Sequence, residues 1–224
     1  KNFCYTYNYI LIKNINNKIE VNEEIKYTLI NNQITTHNFI VDLLNYITLI
    51  TGQPLHAYDY NVISDKLIID KTKNTEKFLT VNNNELFLKK NTYVIKDKNN
   101  NILSLPGIIG SDRAKIEKKS ENIFIECAFF NKKKIMTLSN YYKIKTMASE
   151  IFSKGINDNF NISLNILLSN INKDTATFHK KTYINLTLLK KYINIYKKNI
   201  LNTLGFFISD EIIDISLKNR NFFF

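Results

Sequence analysis

The chain has 224 residues, of which 44% are hydrophobic and 23% are charged, and its formal net charge is +11. This composition is typical of a folded protein with a sizeable core, and it excludes an intrinsically disordered chain. No apolar run approaches the roughly 18 to 20 residues that span a bilayer, so no membrane partner is expected. Cys4 and Cys127 lie far apart in the sequence, and we expect them to be reduced thiols in a cytoplasmic protein.

The positive charge permits a nucleic-acid partner but does not establish one. Arg113 and Arg220 are the arginines of the chain, and its other basic side chains are lysines. Lys, Asn, Ile, Phe and Tyr are all frequent and share A- and T-rich codons, so genome composition explains part of the charge. A protein that reads phosphates or bases usually carries more Arg, whose planar guanidinium binds phosphate bidentately. An unrelated basic RNA-binding domain therefore remains an interpretation to weigh against the motifs.

Strand and helix patterns follow one another along the first half of the chain. A Tyr- and Ile-rich stretch at 3–15 predicts a strand. Asn22 is placed to cap a short helix, and a second helix is predicted from Thr36 to Thr51. Gly52 then ends this helix, because Gly adopts the left-handed conformation readily.

The middle of the chain changes to a period of two. Short strands are predicted between residues 66 and 105, joined by polar turns at 82–84 and 97–101. The nearly continuous apolar stretch at 122–130 predicts a central strand. Helical periodicity then dominates residues 131–173.

A polar, aperiodic stretch at 172–181 predicts a boundary, after which a strand at 183–188, a helix at 199–204 and a strand at 212–217 are expected. We therefore predict an α+β fold. A domain at 1–180, with helices packed over a mixed sheet, is followed at 181–224 by the opening of a small second domain. A start without Met and an ending at Phe224 suggest a piece of a longer polypeptide.

His56 is the first candidate for chemistry, because it follows a rigid corner formed by Gly52 and Pro54. The alternative is a structural turn in which the His ring satisfies a backbone carbonyl. A metal site is not predicted, since His37 and His179 have no Cys or carboxylates at ligand spacing.

Glu126 is the second candidate, because it is an ionisable residue within the apolar strand at 122–130. Such a carboxylate must be paired, protonated or functional if it is buried. Alternation along the strand also allows it to face solvent. No phosphate-binding loop or nucleophile motif accompanies these residues. With metal, phosphate-loop and nucleophile sites not predicted, we expect a pocket in which His56 and Glu126 bind a polar group or position a water molecule for hydrolysis.

Four ordered blocks carry a resemblance to a known family. They read Gly-Gln-Pro-Leu-His-Ala-Tyr-Asp at 52–59, Pro-Gly-Ile-Ile-Gly at 106–110, Ile-Glu-Cys-Ala-Phe-Phe at 125–130, and Thr-x-Ala-Ser at 146–149. In this order and spacing they resemble the beta subunit of bacterial phenylalanyl-tRNA synthetase. The stretch Asn-Ile-Leu-Asn-Thr-Leu-Gly-Phe at 199–206 is similar to the start of that family's next domain, which is winged-helix-like. Residues 215–220 are similar to a strand of that domain.

The resemblance implies that residues 1–180 form an editing domain, which hydrolyses tyrosine wrongly esterified to tRNA(Phe). It implies that Glu126 and Gly110 bind the tyrosine hydroxyl. It further implies that His56, Thr146 and Ala148 line the pocket, with His56 and Thr146 placing the ester and the attacking water.

The family also implies partners: the alpha subunit, which performs aminoacylation, and tRNA(Phe). ATP and magnesium would serve the whole enzyme. No cofactor is expected in the 224 residues of this chain, because the family's first magnesium ligand falls near Phe222, which cannot ligate a metal. The sequence departs from the family where Thr35 replaces an Arg and where Ser111 replaces the second Gly of a pair. A degenerate, non-editing scaffold that contacts tRNA is therefore the alternative function.

Overall fold

The computed structural model describes residues 3–64, 66–156, 160–171, 177–184 and 194–220. The chain forms two compact units, Lys1–Thr187 and Leu188–Phe224. The larger unit extends beyond the predicted boundary at residue 180, because a strand at Thr177–Ile184 pairs with the first strand of the chain. None of the described helices is long and apolar enough to cross a membrane.

The strands of the larger unit form two four-stranded sheets and a separate hairpin. They are β1 (Cys4–Lys13), β2 (His56–Asp59), β3 (Ile68–Lys71), β4 (Glu76–Leu79), β5 (Glu85–Leu88), β6 (Tyr93–Lys96), β7 (Ile102–Leu105), β8 (Ile109–Gly110), β9 (Ile123–Phe130) and β10 (Thr177–Ile184). The first sheet has the order β10-β1-β9-β2 and the second the order β3-β6-β7-β8, while β4 pairs with β5.

All pairings among the described strands are antiparallel. The prediction of a mixed sheet, with parallel as well as antiparallel pairs, is therefore wrong. The predicted turns at 82–84 and 97–101 join β4 to β5 and β6 to β7. Connections this short allow only antiparallel neighbours, whereas the strands of the first sheet are far apart in the sequence and their direction has no such local signal.

The described helices are α1 (Glu23–Asn31), α2 (Phe39–Thr51), α3 (Lys132–Tyr142), α4 (Met147–Lys154), α5 (Phe160–Ser169), α6 (Lys197–Leu204) and α7 (Asp210–Lys218). The predicted α+β class is thereby confirmed. Helix α2 begins later than predicted, because the side chain of Asn38 caps it by accepting a hydrogen bond from the Val41 N–H at 3.1 Å. Gly52 ends it with φ of 68°.

Strand β9 lies between two layers and is buried on both faces, as predicted for a central strand. One face, with Ile123, Ile125 and Cys127, packs against α1, α2 and α5 in one hydrophobic cluster. The other face carries Phe124, Ala128 and Phe130, which pack in clusters that include residues of the second sheet. Side chains alternate along a strand, so Glu126 belongs to this second face, between the two sheets.

The smaller unit corrects one prediction, because residues 212–217 lie in helix α7 and not in a strand. Ser209 caps this helix, and Asp210 and Glu211 occupy its first turn. A cap and acidic residues at the positive end of the helix dipole are strong start signals. They outweigh the strand preference of the isoleucines that follow.

The other predictions in this region have different outcomes. The resemblance of 215–220 to a strand is wrong for the same reason, since most of it lies in α7. The predicted helix at 199–204 is confirmed as α6, which ends at Gly205. Of the strand predicted at 183–188, residues 183 and 184 belong to β10, and the rest lies outside the described residues.

Candidate functional site

The site is built around a row of side chains across the first sheet. Gly52 ends α2 and Pro54 follows it, so that β2 begins at His56. β2 pairs with β9, which places His56 opposite Glu126. On the other side of β9, Tyr9 of β1 is opposite Glu126. Glu126 therefore belongs to an inner strand of the first sheet, and its carboxylate lies between the two sheets.

The carboxylate of Glu126 is buried, with 4% of the residue exposed. Its Oε2 atom accepts hydrogen bonds from the Tyr7 hydroxyl at 2.8 Å and the Tyr58 hydroxyl at 3.0 Å. The Tyr58 hydroxyl also shares a 2.8 Å hydrogen bond with Ser104 Oγ. Within the described part of the chain, Oε1 has no hydrogen-bond partner. The alternative that Glu126 faces solvent is therefore wrong.

Burial controls the protonation of this carboxyl group. Loss of hydration raises the pKa of Glu126 from 4.5 to about 7, and the hydrogen bonds from Tyr7 and Tyr58 oppose that rise. Near neutral pH both the ionised and the protonated forms are therefore populated. The ionised form can accept a further hydrogen bond at Oε1, whereas the protonated form can also donate one.

The imidazole of His56 is neutral at physiological pH. The residue keeps some exposed surface, but the ring is packed in the protein, and this burial lowers its pKa from 6.5 to about 4. The ring contacts Tyr58 edge-on, with centroids 4.5 Å apart. Among the described residues neither ring nitrogen has a hydrogen-bond partner, so the structure does not support the alternative in which His56 satisfies a backbone carbonyl.

Gly110 belongs to the second sheet and lies against the His56 ring. A Cβ atom at Gly110 would come within 2.8 Å of His56 Cε1 and 2.9 Å of Nε2. Such distances are below van der Waals contact, so only glycine allows the ring to occupy this position. The corner at 106–110 therefore fixes the imidazole from the side opposite the first sheet.

Thr146 and Ala148 are supplied by the start of α4. Thr146 Oγ1 accepts a hydrogen bond from the Ser149 N–H at 3.1 Å, and it donates one to the Ile108 carbonyl at 2.8 Å. The hydroxyl proton of Thr146 is therefore engaged in attaching α4 to the corner at 106–110. Ala148 follows in the first turn of the helix, with a side chain too small to close the adjoining space.

Two spaces that share part of their lining bring the predicted site residues together. An inner cavity of about 50 Å³ is lined by Glu126, His56 and Ala148, among others. An outer groove of about 650 Å³ is lined by His56, Ala148, Gly110 and Thr146, among others. His56 and Ala148 border both spaces, so the groove and the cavity lined by Glu126 lie side by side.

Sequence reasoning did not identify Tyr7 and Tyr58 as part of the site. Both carry the hydroxyls that bind Glu126, and the available signal was alternation, which puts Tyr58 on the same face of β2 as His56. Their distance from Glu126 depends on strand register, which the sequence did not give. No group of three or more His, Cys, Asp or Glu side chains that could hold a metal occurs within the described ranges.

These features define an α+β domain with a ligand-sized groove beside a buried carboxylate that lies between two antiparallel sheets. The model of the B3/4 domain family matches residues 3–174. The chain belongs to this family.

Curated relatives carry the name phenylalanine–tRNA ligase beta subunit. The one from Ureaplasma parvum is 34% identical over 208 residues, which cover 92% of this chain and 26% of that protein. The one from Malacoplasma penetrans is 35% identical over 156 residues, which cover 70% of this chain and 20% of that protein. The one from Wolbachia sp. subsp. Brugia malayi is 36% identical over 151 residues, which cover 67% of this chain and 19% of that protein. The predicted resemblance is confirmed, and the chain spans about a quarter or less of these relatives.

Proposed function

We propose that the chain is part of a phenylalanine–tRNA ligase beta subunit and carries a site that hydrolyses tyrosine esterified to tRNA(Phe). Family membership and the names of the relatives support the first part. One arrangement supports the second: Glu126, whose Oε1 has no hydrogen-bond partner among the described residues, lines a cavity that shares His56 with an open groove. For the whole enzyme we propose an alpha subunit as partner, tRNA(Phe) as substrate, ATP and magnesium for charging, and a cytoplasmic location.

The need for such a site is physical. Tyrosine differs from phenylalanine by one hydroxyl, and an apolar pocket rejects an added hydroxyl only modestly. A site that hydrogen-bonds this hydroxyl selects tyrosine, because phenylalanine would leave a buried polar atom without a partner. Tyr7 and Tyr58 engage Oε2 of Glu126, which leaves Oε1 as the acceptor for the hydroxyl of the ligand.

His56 is suited to placing the attacking water. Its neutral ring has nitrogens without hydrogen-bond partners among the described residues, so one of them can accept a hydrogen bond from water. A pKa of about 4 makes the imidazole a weak base at neutral pH. Its contribution is therefore to orient the water at the junction of cavity and groove, while Gly110 holds the ring in place.

Thr146 and Ala148 shape the entrance. The Thr146 proton is engaged by the Ile108 carbonyl, so this side chain offers the ligand an acceptor lone pair rather than a donor. Its main effect is to keep α4 against the corner. Ala148 leaves room for the ligand where a larger residue would block the passage to Glu126.

A non-editing scaffold that contacts tRNA is the second candidate function, and the size of the inner cavity favours it. About 50 Å³ is well below the roughly 150 Å³ of an engineered cavity that binds benzene. A phenol ring would have to lie across the opening between His56 and Ala148, with only its hydroxyl in the cavity. Thr35, which stands in place of the family Arg, is exposed and offers no charge.

Deacylation of Tyr-tRNA(Phe) by the complete ligase distinguishes the two functions. We expect hydrolysis above the spontaneous rate, reduced roughly 10²-fold by Glu126→Ala and by His56→Ala. Glu24→Ala, on the exposed first turn of α1, serves as the control and should leave the rate unchanged. If the unaltered ligase and all variants deacylate Tyr-tRNA(Phe) no faster than it hydrolyses spontaneously, while charging with phenylalanine is intact, the scaffold function is supported.

A further inference from the structure

Ser111 carries a buried hydroxyl without a partner. The residue is 4% exposed, and among the described residues its Oγ makes no hydrogen bond. Its backbone is well fixed, because the Ser111 N–H donates to the Leu103 carbonyl at 2.8 Å and the residue forms a bridge with Thr80. Most buried polar atoms in native proteins are hydrogen-bonded, so this hydroxyl requires an explanation.

The position of Ser111 supplies that explanation. It follows Gly110, which contacts His56, and it lines the outer groove. It also lines an adjoining pocket of about 390 Å³. Rotation about the Cα–Cβ bond moves the hydroxyl between staggered positions, and this rotation breaks no hydrogen bond to any residue that the structure describes. A ligand in the groove can therefore recruit this hydroxyl without breaking an existing contact.

The chemistry of the surroundings indicates which ligand group is recognised. Val81, Ile109 and Ala114 are apolar members of the groove lining to which Ser111 belongs. Lys115, the lysine of that lining, is paired with Asp112 at 2.6 Å. A neutral hydroxyl in a groove whose lysine is already paired suits a neutral oxygen of the ligand better than a phosphate.

We propose that Ser111 is a ligand-contacting residue that hydrogen-bonds the sugar hydroxyl next to the ester of a bound aminoacyl nucleoside. The inference rests on the proposed function, which brings such an ester to His56. The carbonyl of the ester must face the attacking water at the junction of cavity and groove. The neighbouring sugar hydroxyl is the neutral polar group nearest to that ester, and we assign it to Ser111.

Two stable ligands test this assignment: an amide analogue of tyrosyl-adenosine and the same analogue without the sugar hydroxyl. Their affinities for the full chain and for Ser111→Ala are measured by titration calorimetry. We expect the unaltered chain to bind the hydroxyl-bearing analogue about fivefold more tightly, as for one neutral hydrogen bond. Ser111→Ala should abolish this preference.

Stability separates a ligand contact from a structural role. Ser111→Ala should leave the unfolding midpoint unchanged or raise it, because no protein partner is lost. Ser120→Ala is the matched control: this serine is 2% exposed, but its Oγ donates to Asp59 at 2.6 Å. That substitution should lower the unfolding midpoint and keep the preference between the analogues.

The outcomes distinguish this inference from the function on which it rests. An equal preference in the unaltered chain and in Ser111→Ala, or a lower unfolding midpoint in Ser111→Ala, would overturn the assignment alone. Equal binding of both analogues by the unaltered chain, with Tyr-tRNA(Phe) still hydrolysed, would do the same. Binding of neither analogue, with no hydrolysis, would overturn the proposed function and the assignment together.

Discussion

The raised pKa of Glu126 predicts a specific dependence of stability on pH. In the unfolded chain this carboxyl group loses its proton near pH 4.5, whereas in the folded protein it keeps the proton up to about pH 7. Its stabilising contribution is therefore complete below pH 4.5 and is lost as the pH rises through 7. A difference of 2.5 pH units between these two values corresponds to about 3 kcal/mol in the free energy of unfolding.

Glu126→Gln removes this titration and retains a side chain of the same shape. The difference in unfolding free energy, Glu126→Gln minus the unaltered chain, should rise by about 3 kcal/mol between pH 4.5 and pH 8. Urea unfolding at a series of pH values, followed by circular dichroism, measures this difference. A difference that is independent of pH would refute the burial of an uncompensated carboxyl group between the sheets.

His56 provides an internal comparison of opposite sign. Its pKa falls from 6.5 to about 4 on folding, so its contribution is present above pH 6.5 and is lost as the pH falls toward 4. In the unaltered chain the two contributions therefore oppose each other between pH 4.5 and 6.5. His56→Asn should expose the decline in stability with rising pH that Glu126 causes, and Glu126→Gln should expose the rise that His56 causes.

Three further substitutions test the packing of the site. Gly110→Ala should displace the His56 ring, lower the unfolding free energy by about 1–3 kcal/mol and abolish ester hydrolysis, as measured by urea unfolding and deacylation. Tyr58→Phe should destabilise the chain by about 1–2 kcal/mol through loss of the hydrogen bond to Glu126. It should also raise the pKa of Glu126 further, so that the decline in unfolding free energy with rising pH, measured by urea unfolding, occurs at a higher pH. Thr146→Val should cost about 1 kcal/mol through loss of the cap, whereas Thr146→Ser should not; equal losses would contradict the capping role.

Much of the larger unit could be predicted from local signals. The Asn caps, the glycine that ends α2 and the polar turns act within a few residues, so their effects can be read directly along the chain. Helix α7 was missed because a cap with two acidic residues competes with a run of isoleucines, and propensity alone does not decide between them. The hairpins at the predicted turns are antiparallel as expected, but the direction of pairing in the first sheet was missed, because β1, β2, β9 and β10 are far apart in the sequence and no local signal sets how distant strands pair.

The candidate site was predictable in its residues but not in their contacts. His56 and Glu126 stood out because a histidine follows a rigid corner and a carboxylate interrupts an apolar strand. The hydroxyls of Tyr7 and Tyr58, which occupy one oxygen of Glu126, could not be inferred, because they come from two different strands. The unpartnered hydroxyl of Ser111 likewise required the surrounding packing to be known.

The most direct test of the central claim is the ratio of hydrolysis rates for Tyr-tRNA(Phe) and Phe-tRNA(Phe). If Oε1 of Glu126 receives the tyrosine hydroxyl, the unaltered ligase should strongly prefer the tyrosyl ester, by up to roughly 10⁴-fold. Glu126→Ala, which removes the acceptor, should reduce the tyrosyl rate and leave the phenylalanyl rate nearly unchanged. Equal rates for the two esters, or a preference that Glu126→Ala does not alter, would contradict this role of Glu126.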